Sequence, residues 1–547
     1  MPSSGEQRSP ADKLTRLAIQ AQRERKIEET KETAAPPLLR LGLAATGGIF
    51  LLLAQTGAGW AWVGAAAYMV AISGATPGTG AACGAITATI AYFRVLGAWE
   101  GSSTFWLVLI LEGGGGAIAG ALGALISRRL PPYVFAFLAA LVPAGLEHLG
   151  SFGYAGGLSS TALTQYRQAA VVCMARAGGL AGVTYVIFVF GGAVATWVRY
   201  VQAPAIGMIS GLPPLGLVVA GLLYGAISGA STERSVNATA FNFNSHDAQY
   251  RKLTASKEYD SKRWAGYIDA LFERVNRLSQ EPVIESAIAR GERQKTTELL
   301  VWPEAAVALN AEAKKAFFTR VEKMVQVTKC VQAIGYYDVE RMESRGALTR
   351  QGSDVSDTFA RQRYISGVDD VIYGSQIARR GTTTPAAVGT PIGNAAMILA
   401  IDANILGNFV AASSSGAGII CVATSGDKDA RVESLRILVF NAAQCGVSVV
   451  RSATAGRLEA LNPDGKILAE EEAMELTDGS VRAMVPLGSG STLFLYVGNA
   501  FAWMALAAGI GAGLYASTRP DEGAVKGKDE RAVGPLSYKT KDGMKGV

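Results

Sequence analysis

Apolar residues are distributed unevenly along the 547-residue chain, and their pattern divides it into two regions. Between residues 38 and 230 long apolar stretches carry only a handful of ionisable side chains, whereas residues 231–490 have the charge density of an ordinary globular domain. An apolar run of roughly 20 residues is long enough to cross a bilayer as a helix. The pattern therefore predicts an integral membrane protein with one large water-exposed domain.

Eight apolar stretches are candidates for membrane-spanning helices, seven before the water-exposed region and one after it. They cover residues 38–55, 60–73, 81–96, 105–126, 133–149, 169–198, 206–227 and 492–516. The second and third fall furthest below the roughly 20 residues that a span needs. The predicted organisation is a polar segment at residues 1–37, a seven-span bundle at 38–230, a domain at 231–490, an eighth span at 491–516 and a basic tail at 517–547.

Basic residues near the ends of these stretches indicate an orientation. With the N-terminus in the cytosol, Arg128, Arg129, Arg199 and the basic tail all lie on the cytosolic side, as the positive-inside rule prefers. No apolar signal-peptide core precedes Leu38. We therefore expect both termini in the cytosol and the domain outside the cell or in a lumen. The net charge of +6 is modest and is explained by this topology, so nucleic acid is not an expected partner.

Short apolar runs alternate with helical patterns inside the domain. The runs at residues 238–243, 298–302, 332–336, 395–401, 417–423 and 447–451 are typical of strands, and residues 261–278 and 305–327 have the pattern of amphipathic helices. Residues 338–390 show no regular pattern. The prediction is an α/β domain, and the lack of an internal repeat disfavours a transporter built from two halves.

Glu304 is a candidate catalytic residue. It directly follows Trp302-Pro303, at the end of the predicted strand at residues 298–302. A strand that ends in this way places a carboxylate at the mouth of a sheet. The same residues also fit the start of a helix, where proline and an acidic side chain are favoured in the first turn.

Four segments resemble the apolipoprotein N-acyltransferases, membrane members of the carbon–nitrogen hydrolase (nitrilase) superfamily. Trp302-Pro303-Glu304 resembles their Trp-Pro-Glu motif, residues 450–465 resemble two strands and an Asp-Pro-x-Gly turn, and residues 178–185 and 485–499 resemble the entries to the sixth and last spans. The resemblance implies a membrane α-helical bundle of about eight transmembrane helices joined to an α/β domain with an α-β-β-α sandwich fold.

In that family a glutamate, a lysine and a cysteine act together: the cysteine takes an acyl group from a phospholipid and passes it to the amine of a lipoprotein. The resemblance places Glu304 at the general-base position and Ala400 at the nucleophile position, or Met397 if the register slips by a few residues. No lysine occurs between Lys329 and Lys428, so the lysine position is unfilled.

Two substitutes for the missing groups remain. Arg379 or Arg380 could supply positive charge, although an arginine does not give up a proton near neutral pH. Cys421 could replace the nucleophile, but a cysteine in the middle of a predicted strand is typical of a small buried apolar residue.

Two functions remain open on this evidence. The first is a catalytically degenerate homologue that binds a phospholipid or lipoprotein ligand, and the alternative is an active N-acyltransferase, or an amidase or hydrolase, with a non-standard nucleophile. The five cysteines and two histidines, His148 and His246, show no metal-ligand spacing, so no metal and no cofactor is expected. Glu112 and Glu147 lie at membrane depth, where an ionisable group marks a function or a buried pair.

Overall fold

Seven helices make up the described chain before residue 230. The computed structural model describes residues 35–56, 59–93, 103–150, 160–229, 234–242, 261–280, 296–350, 352, 354–362, 381–424, 431–454, 456–473 and 479–519. The helices are α1 (Pro37–Ala54), α2 (Trp60–Ile72), α3 (Pro77–Tyr92), α4 (Ser103–Arg129), α5 (Pro132–Gly150), α6 (Ala169–Arg199) and α7 (Pro204–Ile227). Helices α1, α3 and α7 have proline in their first turn, where its missing N–H removes no intrahelical hydrogen bond.

Glycines allow α3 and α4 to approach closely. Gly84 lies against Gly116, and Gly80 lies against Gly120; a Cβ on Gly84 would stand 1.9 Å from the carbonyl oxygen of Gly116. Small residues at a helix interface permit such backbone contact in an apolar environment. The close approach of α3 and α4 therefore requires glycine at these four positions.

The domain contains thirteen strands and four helices within the described residues. The strands are β1 (Ser235–Phe241), β2 (Leu299–Val301), β3 (Val307–Leu309), β4 (Val331–Asp338), β5 (Glu343–Thr349), β6 (Val355–Ala360), β7 (Val388–Thr390), β8 (Gly393–Leu399), β9 (Ile419–Thr424), β10 (Ser448–Ala453), β11 (Gly456–Leu461), β12 (Ile467–Ala473) and β13 (Ser480–Pro486). The helices are α8 (Ser261–Gln280), α9 (Ala311–Thr328), α10 (Leu406–Ser414) and α11 (Arg431–Cys445).

The strands form two sheets. The first has the order β13-β1-β2-β4-β5-β6, with β3 also beside β4, and the second has the order β12-β11-β10-β9-β8-β7. Strands β1, β2 and β4 are parallel, as are β8, β9 and β10, whereas the outer strands pair antiparallel. The carboxyl ends of the parallel strands are the usual position of a site in such a sheet.

The two sheets pack face to face, with helices on their outer faces. Helices α8 and α9 cover the first sheet, where Phe272 and Phe317 pack against Trp302. Helices α10 and α11 contribute buried residues to the core that contains the second sheet. Between the sheets, a Cβ on Gly346 of β5 would stand 2.8 Å from the sulfur of Met397 on β8. The domain is an α-β-β-α sandwich, as predicted for this part of the chain.

Six of the described helices are long and apolar enough to cross a membrane: α1, α4 from Leu109 onward, α5, α6, α7 and a final helix, α13 (Ala500–Thr518). Helices α2 and α3 have 13 and 16 residues. The chain thus has the helices of a membrane protein, and six of the eight predicted stretches are confirmed as candidate spans. The orientation of the domain and termini stays a prediction.

Two predicted element boundaries are wrong, and one segment without a predicted structure contains strands. The helix expected at residues 305–327 begins only at Ala311, because the left-handed backbone of Ala305 (φ 50°) leads into β3 and the Asn310 side chain caps the helix that follows. The last predicted span is two helices, since Gly498 (φ 58°) separates α12 (Leu493–Val497) from α13. Residues 338–390, which show no pattern in the sequence, contain strands β5, β6 and β7.

Candidate functional site

Glu304 lies just beyond the carboxyl end of β2 and is completely buried. Its backbone N–H donates to the carbonyl oxygen of Thr424, the last residue of β9, at 3.4 Å. Its carbonyl oxygen accepts a hydrogen bond of 3.2 Å from the hydroxyl of Thr454, which follows β10. Strand ends of both sheets therefore hold Glu304 between the sheets, where ligands bind in parallel α/β folds.

The carboxylate of Glu304 is paired with a cation. Its Oε1 accepts hydrogen bonds from Ser344 Oγ at 2.7 Å and from Arg361 Nη1 at 3.1 Å. The side chain of Arg361 is 3% exposed, and its backbone N–H donates to the carbonyl oxygen of Ser344 at 2.9 Å. Arg361 is thus a permanent positive charge inside the site.

Sequence reasoning missed Arg361. It follows β6 directly, in the region without a recognisable pattern, and the preceding Val-Ser-Asp-Thr-Phe-Ala has no apolar run that could have marked it. Arg379 and Arg380, the two arginines that could supply positive charge according to the sequence, lie outside the described residues.

Ala400 occupies a strained turn at the carboxyl end of β8. Its φ of 46° lies in the left-handed region, which disfavours a residue with a Cβ, and a 3₁₀ helix at Ala400–Asn404 begins there. A sharp strand-to-helix turn of this kind is where α/β hydrolases present a nucleophile. Met397 lies three residues earlier, inside β8 and 1% exposed. Ala400 thus lies on the turn, and Met397 lies inside the strand that precedes it.

A short segment joins Glu304 to this turn. Arg361 contacts Glu304, and the backbone N–H of the next residue, Gln362, donates to Asp402 Oδ2 at 2.5 Å. Asp402 belongs to the 3₁₀ helix that starts at Ala400 and is buried. The structure therefore brings Glu304, Arg361 and the Ala400 turn to one edge of the sandwich.

Cys421 is poorly suited to act as a nucleophile. It is fully buried within β9, and burial raises the pKa of its thiol to about 12. Such a thiol stays protonated near neutral pH, whereas the thiolate is the reactive form. Cys445, at the end of α11, is also buried, and burial raises the pKa of its thiol as well.

A buried ion pair supports the turn from the other side. Arg451 Nε lies 2.6 Å from Glu459 Oε2, and Arg451 Nη1 donates to Ser434 Oγ at 2.8 Å. The Ser434 hydroxyl in turn donates to Asn404 Oδ1 at 3.0 Å. Burial raises the pKa of Glu459 to about 7, an effect that Arg451 opposes. Arg451 and Glu459 belong to the segment that resembles the acyltransferases, and their place here is structural support.

Helix α11 also ties the domain to the apolar bundle. Arg436 donates to the side-chain oxygen of Gln55 at 2.5 Å and lies over the ring of Tyr166. Arg176 of α6 pairs with Asp464, in the turn between β11 and β12, at 2.9 Å. The site is thus held on a domain that contacts the bundle directly.

Within the described residues, no group of three or more histidine, cysteine, aspartate or glutamate side chains could hold a metal ion. His148 packs edge-on against the Trp503 ring, and His246 lies outside the described residues.

No protein-family profile matches the chain, and no curated protein does. Among solved structures it is similar to the amidase from Nesterenkonia sp. AN1. A mutant with acrylamide added at its active-site cysteine has 13% identity and a TM-score of 0.34, covering 46% of this chain and 93% of that chain. A mutant in complex with butyramide has 14% identity and a TM-score of 0.34, and the match covers 46% of this chain and 91% of that chain. A further mutant, described as an amidase from the nitrilase superfamily, has 13% identity and a TM-score of 0.33, and the match covers 47% of this chain and 93% of that chain.

Proposed function

We propose that this protein is a membrane-embedded relative of the apolipoprotein N-acyltransferases that binds a phospholipid or lipoprotein ligand and does not transfer its acyl group. The observation that carries the proposal is Ala400. It keeps the strained left-handed turn after β8 (φ 46°), yet its methyl group cannot attack an ester. Acyl transfer through a covalent intermediate requires an activated thiol or hydroxyl at such a position.

The charges around the turn suit binding. Glu304 and Arg361 form a buried pair, and Ser344 adds a hydroxyl to the same carboxylate oxygen. Arg361 offers hydrogen-bond donors that an ester carbonyl or a carboxylate can accept, but it does not exchange protons near neutral pH. The pair can therefore orient a polar group of a ligand while leaving its acyl bond intact.

The ligand class rests on the resemblance and on the attachment of the domain. Arg436 and Arg176 hold the domain against helices of the apolar bundle, so its site lies close to that bundle. A ligand with an acyl chain could place the chain among apolar helices and its ester or amide at the polar site. This arrangement favours an acylated lipid or peptide over a small soluble molecule.

The alternative is an active acyltransferase, amidase or hydrolase, and one contact favours it. Ser344 Oγ donates to Glu304 Oε1 at 2.7 Å, which is the geometry of a hydroxyl activated by a general base. Ser344 lies inside strand β5 and not on the strained turn. This contact therefore supports the alternative less than Ala400 supports binding.

Covalent labelling separates the two functions. The full-length protein in detergent is incubated with phospholipid that carries an alkyne-tagged, photoactivatable acyl chain, with an authentic apolipoprotein N-acyltransferase as positive control. We expect no adduct without light, and after irradiation a cross-link that excess untagged phospholipid removes. An adduct formed without light that disappears in Ser344→Ala or Cys421→Ala would identify an enzyme. Absence of both products beside a working control would refute lipid binding.

A further inference from the structure

Helix α12, which joins the domain to the last candidate span, exposes apolar side chains. Tyr496 is 83% exposed, and Leu493 and Val497 are exposed as well. Leu493, Tyr496 and Val497 stand at positions i, i+3 and i+4, which share one side of a helix, and together they form the α12 face. A contiguous apolar surface is a common sign of contact with a protein or a membrane. The α12 face is therefore a candidate interaction surface outside the proposed site.

The other side of α12 fixes its orientation. Phe494 is buried, and its ring lies 2.6 Å from the position that a Cβ on Gly179 of α6 would take. Thr492 caps the helix by accepting a hydrogen bond of 3.3 Å from the Leu495 backbone N–H, and its hydroxyl donates to the carbonyl oxygen of Gln444 on α11. Contacts with α6 and α11 therefore hold α12 in place with the α12 face exposed.

The connection to α13 sets the depth of α12 relative to a membrane. Gly498 and Asn499 separate Val497 from Ala500, the first residue of the candidate span. The three residue steps from Val497 to Ala500 cover at most roughly 11 Å. The polar layer on each side of the hydrocarbon core is roughly 5–8 Å thick. Helix α12 therefore lies at the level of this interfacial layer or within a few ångströms of it.

Exposed aromatic residues mark the same level on other helices. The domain end of the bundle is identified by Gln55, after the end of α1, which accepts a hydrogen bond from Arg436 of the domain. The first turns of α2, α4 and α13, which begin at that end, carry the exposed side chains of Trp60, Trp106 and Trp503. The opposite end carries the exposed side chains of Tyr133, Trp197 and Tyr515. Tryptophan and tyrosine are enriched at both interfaces of a membrane, so Tyr496 extends the belt at the domain end.

We propose that the α12 face binds lipid in the interfacial layer of the bilayer, on the side where the domain sits. A lipid surface fits this face because aliphatic side chains can enter the acyl-chain boundary while a tyrosine hydroxyl stays among the headgroups. Thr492 connects α12 to the end of α11, the helix that also contacts the Ala400 turn through Ser434. Bound lipid would thus hold the domain at a fixed height on the bilayer. This goes beyond ligand binding by the domain and does not depend on it.

Collision rates of a spin label test the lipid contact. The full-length protein in phosphatidylcholine nanodiscs carries a nitroxide on Tyr496→Cys, and its collisions are measured with oxygen, which concentrates in lipid, and with a nickel chelate, which stays in water. We expect a ratio of oxygen to nickel collisions at least fivefold above that at Val327→Cys, an 80% exposed apolar position on α9 of the domain. Leu514→Cys, at an exposed position on α13, marks the lipid. The unsubstituted protein, whose five cysteines are buried, gives the background.

A second position keeps the test decisive if Tyr496→Cys does not fold. Leu493→Cys, also on the α12 face, should show the same high ratio of oxygen to nickel collisions. A protein segment that covered the face would instead lower the collisions with both reagents. Ratios on the α12 face equal to that at Val327→Cys, beside a high ratio at Leu514→Cys, would overturn the proposal. Low collision rates with both reagents on the α12 face would overturn it as well.

Discussion

Ala400 is the most informative single residue of the candidate site, because of its backbone conformation. With φ at 46°, its Cβ crowds the following carbonyl oxygen, and the left-handed conformation costs roughly 1–2 kcal/mol for a residue other than glycine. The surrounding structure, including the buried Asp402 and the end of β8, holds the turn in place. Strain of this kind is kept at functional positions.

Replacement of Ala400 by glycine tests this strain. Glycine adopts a positive φ without steric cost, although it adds about 0.5–1 kcal/mol of backbone entropy to the unfolded chain. We expect Ala400→Gly to leave the free energy of unfolding within about 1 kcal/mol of wild type, on the stabilising side. Ala403→Gly, in the same 3₁₀ helix but without a positive φ, should lose about 1 kcal/mol. Chemical denaturation of both variants measures this, and equal losses would argue against strain at Ala400.

The Glu304–Arg361 pair is buried on both sides, with side-chain exposures of 0% and 3%. Removal of one partner leaves a charge without its counter-ion in an apolar place, which typically costs about 3–5 kcal/mol. Arg361→Met should therefore destabilise the domain by about 3 kcal/mol, and the double variant with Glu304→Gln should recover part of that loss.

The control for this pair is an exposed one. Arg320 and Asp269 also form an ion pair, with side-chain exposures of 45% and 67%. Exposed pairs contribute at most about 1 kcal/mol, so Arg320→Met should have a small effect. A double-mutant cycle by denaturant unfolding supplies the measurement. If Arg361→Met lowers the free energy of unfolding by no more than Arg320→Met does, Glu304 and Arg361 do not form a buried ionised pair.

At the scale of elements, the break in α6 lies where the helix bundle contacts the domain. Gly179 has φ 64° and ψ −165° inside the helix, next to Phe494 of α12 and the side chain of Gln444 on α11. A Cβ there would stand 2.6 Å from the Phe494 ring. Only glycine satisfies both the conformation and the space.

Gly179→Ala should therefore lower the free energy of unfolding by at least about 2 kcal/mol, since left-handed strain adds to the clash. Gly182→Ala, one turn further along α6, meets no atom within 4 Å of the new Cβ and should be neutral or slightly stabilising, as alanine favours a helix. Thermal unfolding in detergent compares the two variants. A loss of equal size at both positions would mean that the break at Gly179 is not required.

At the scale of the whole molecule, the site is assembled from parts far apart in the sequence. Strand ends at Glu304, Thr424 and Thr454 meet at one edge, and the turn at Ala400 joins them through Arg361 and Gln362. Helix α11 then connects that turn to the bundle through Ser434 and Arg436. Helix α11 thus contacts both the turn and the bundle.

The sequence by itself determined six apolar helices long enough to span a membrane, six strands of the domain and the place of Glu304 directly after one of those strands, because run length and periodicity are local properties of the chain. Only the tertiary structure decided that Arg361 is the cation beside Glu304, that Ala400 lies on a strained turn and that α9 begins at Ala311. These features depend on contacts between segments distant in sequence and on packing that overrides local preference.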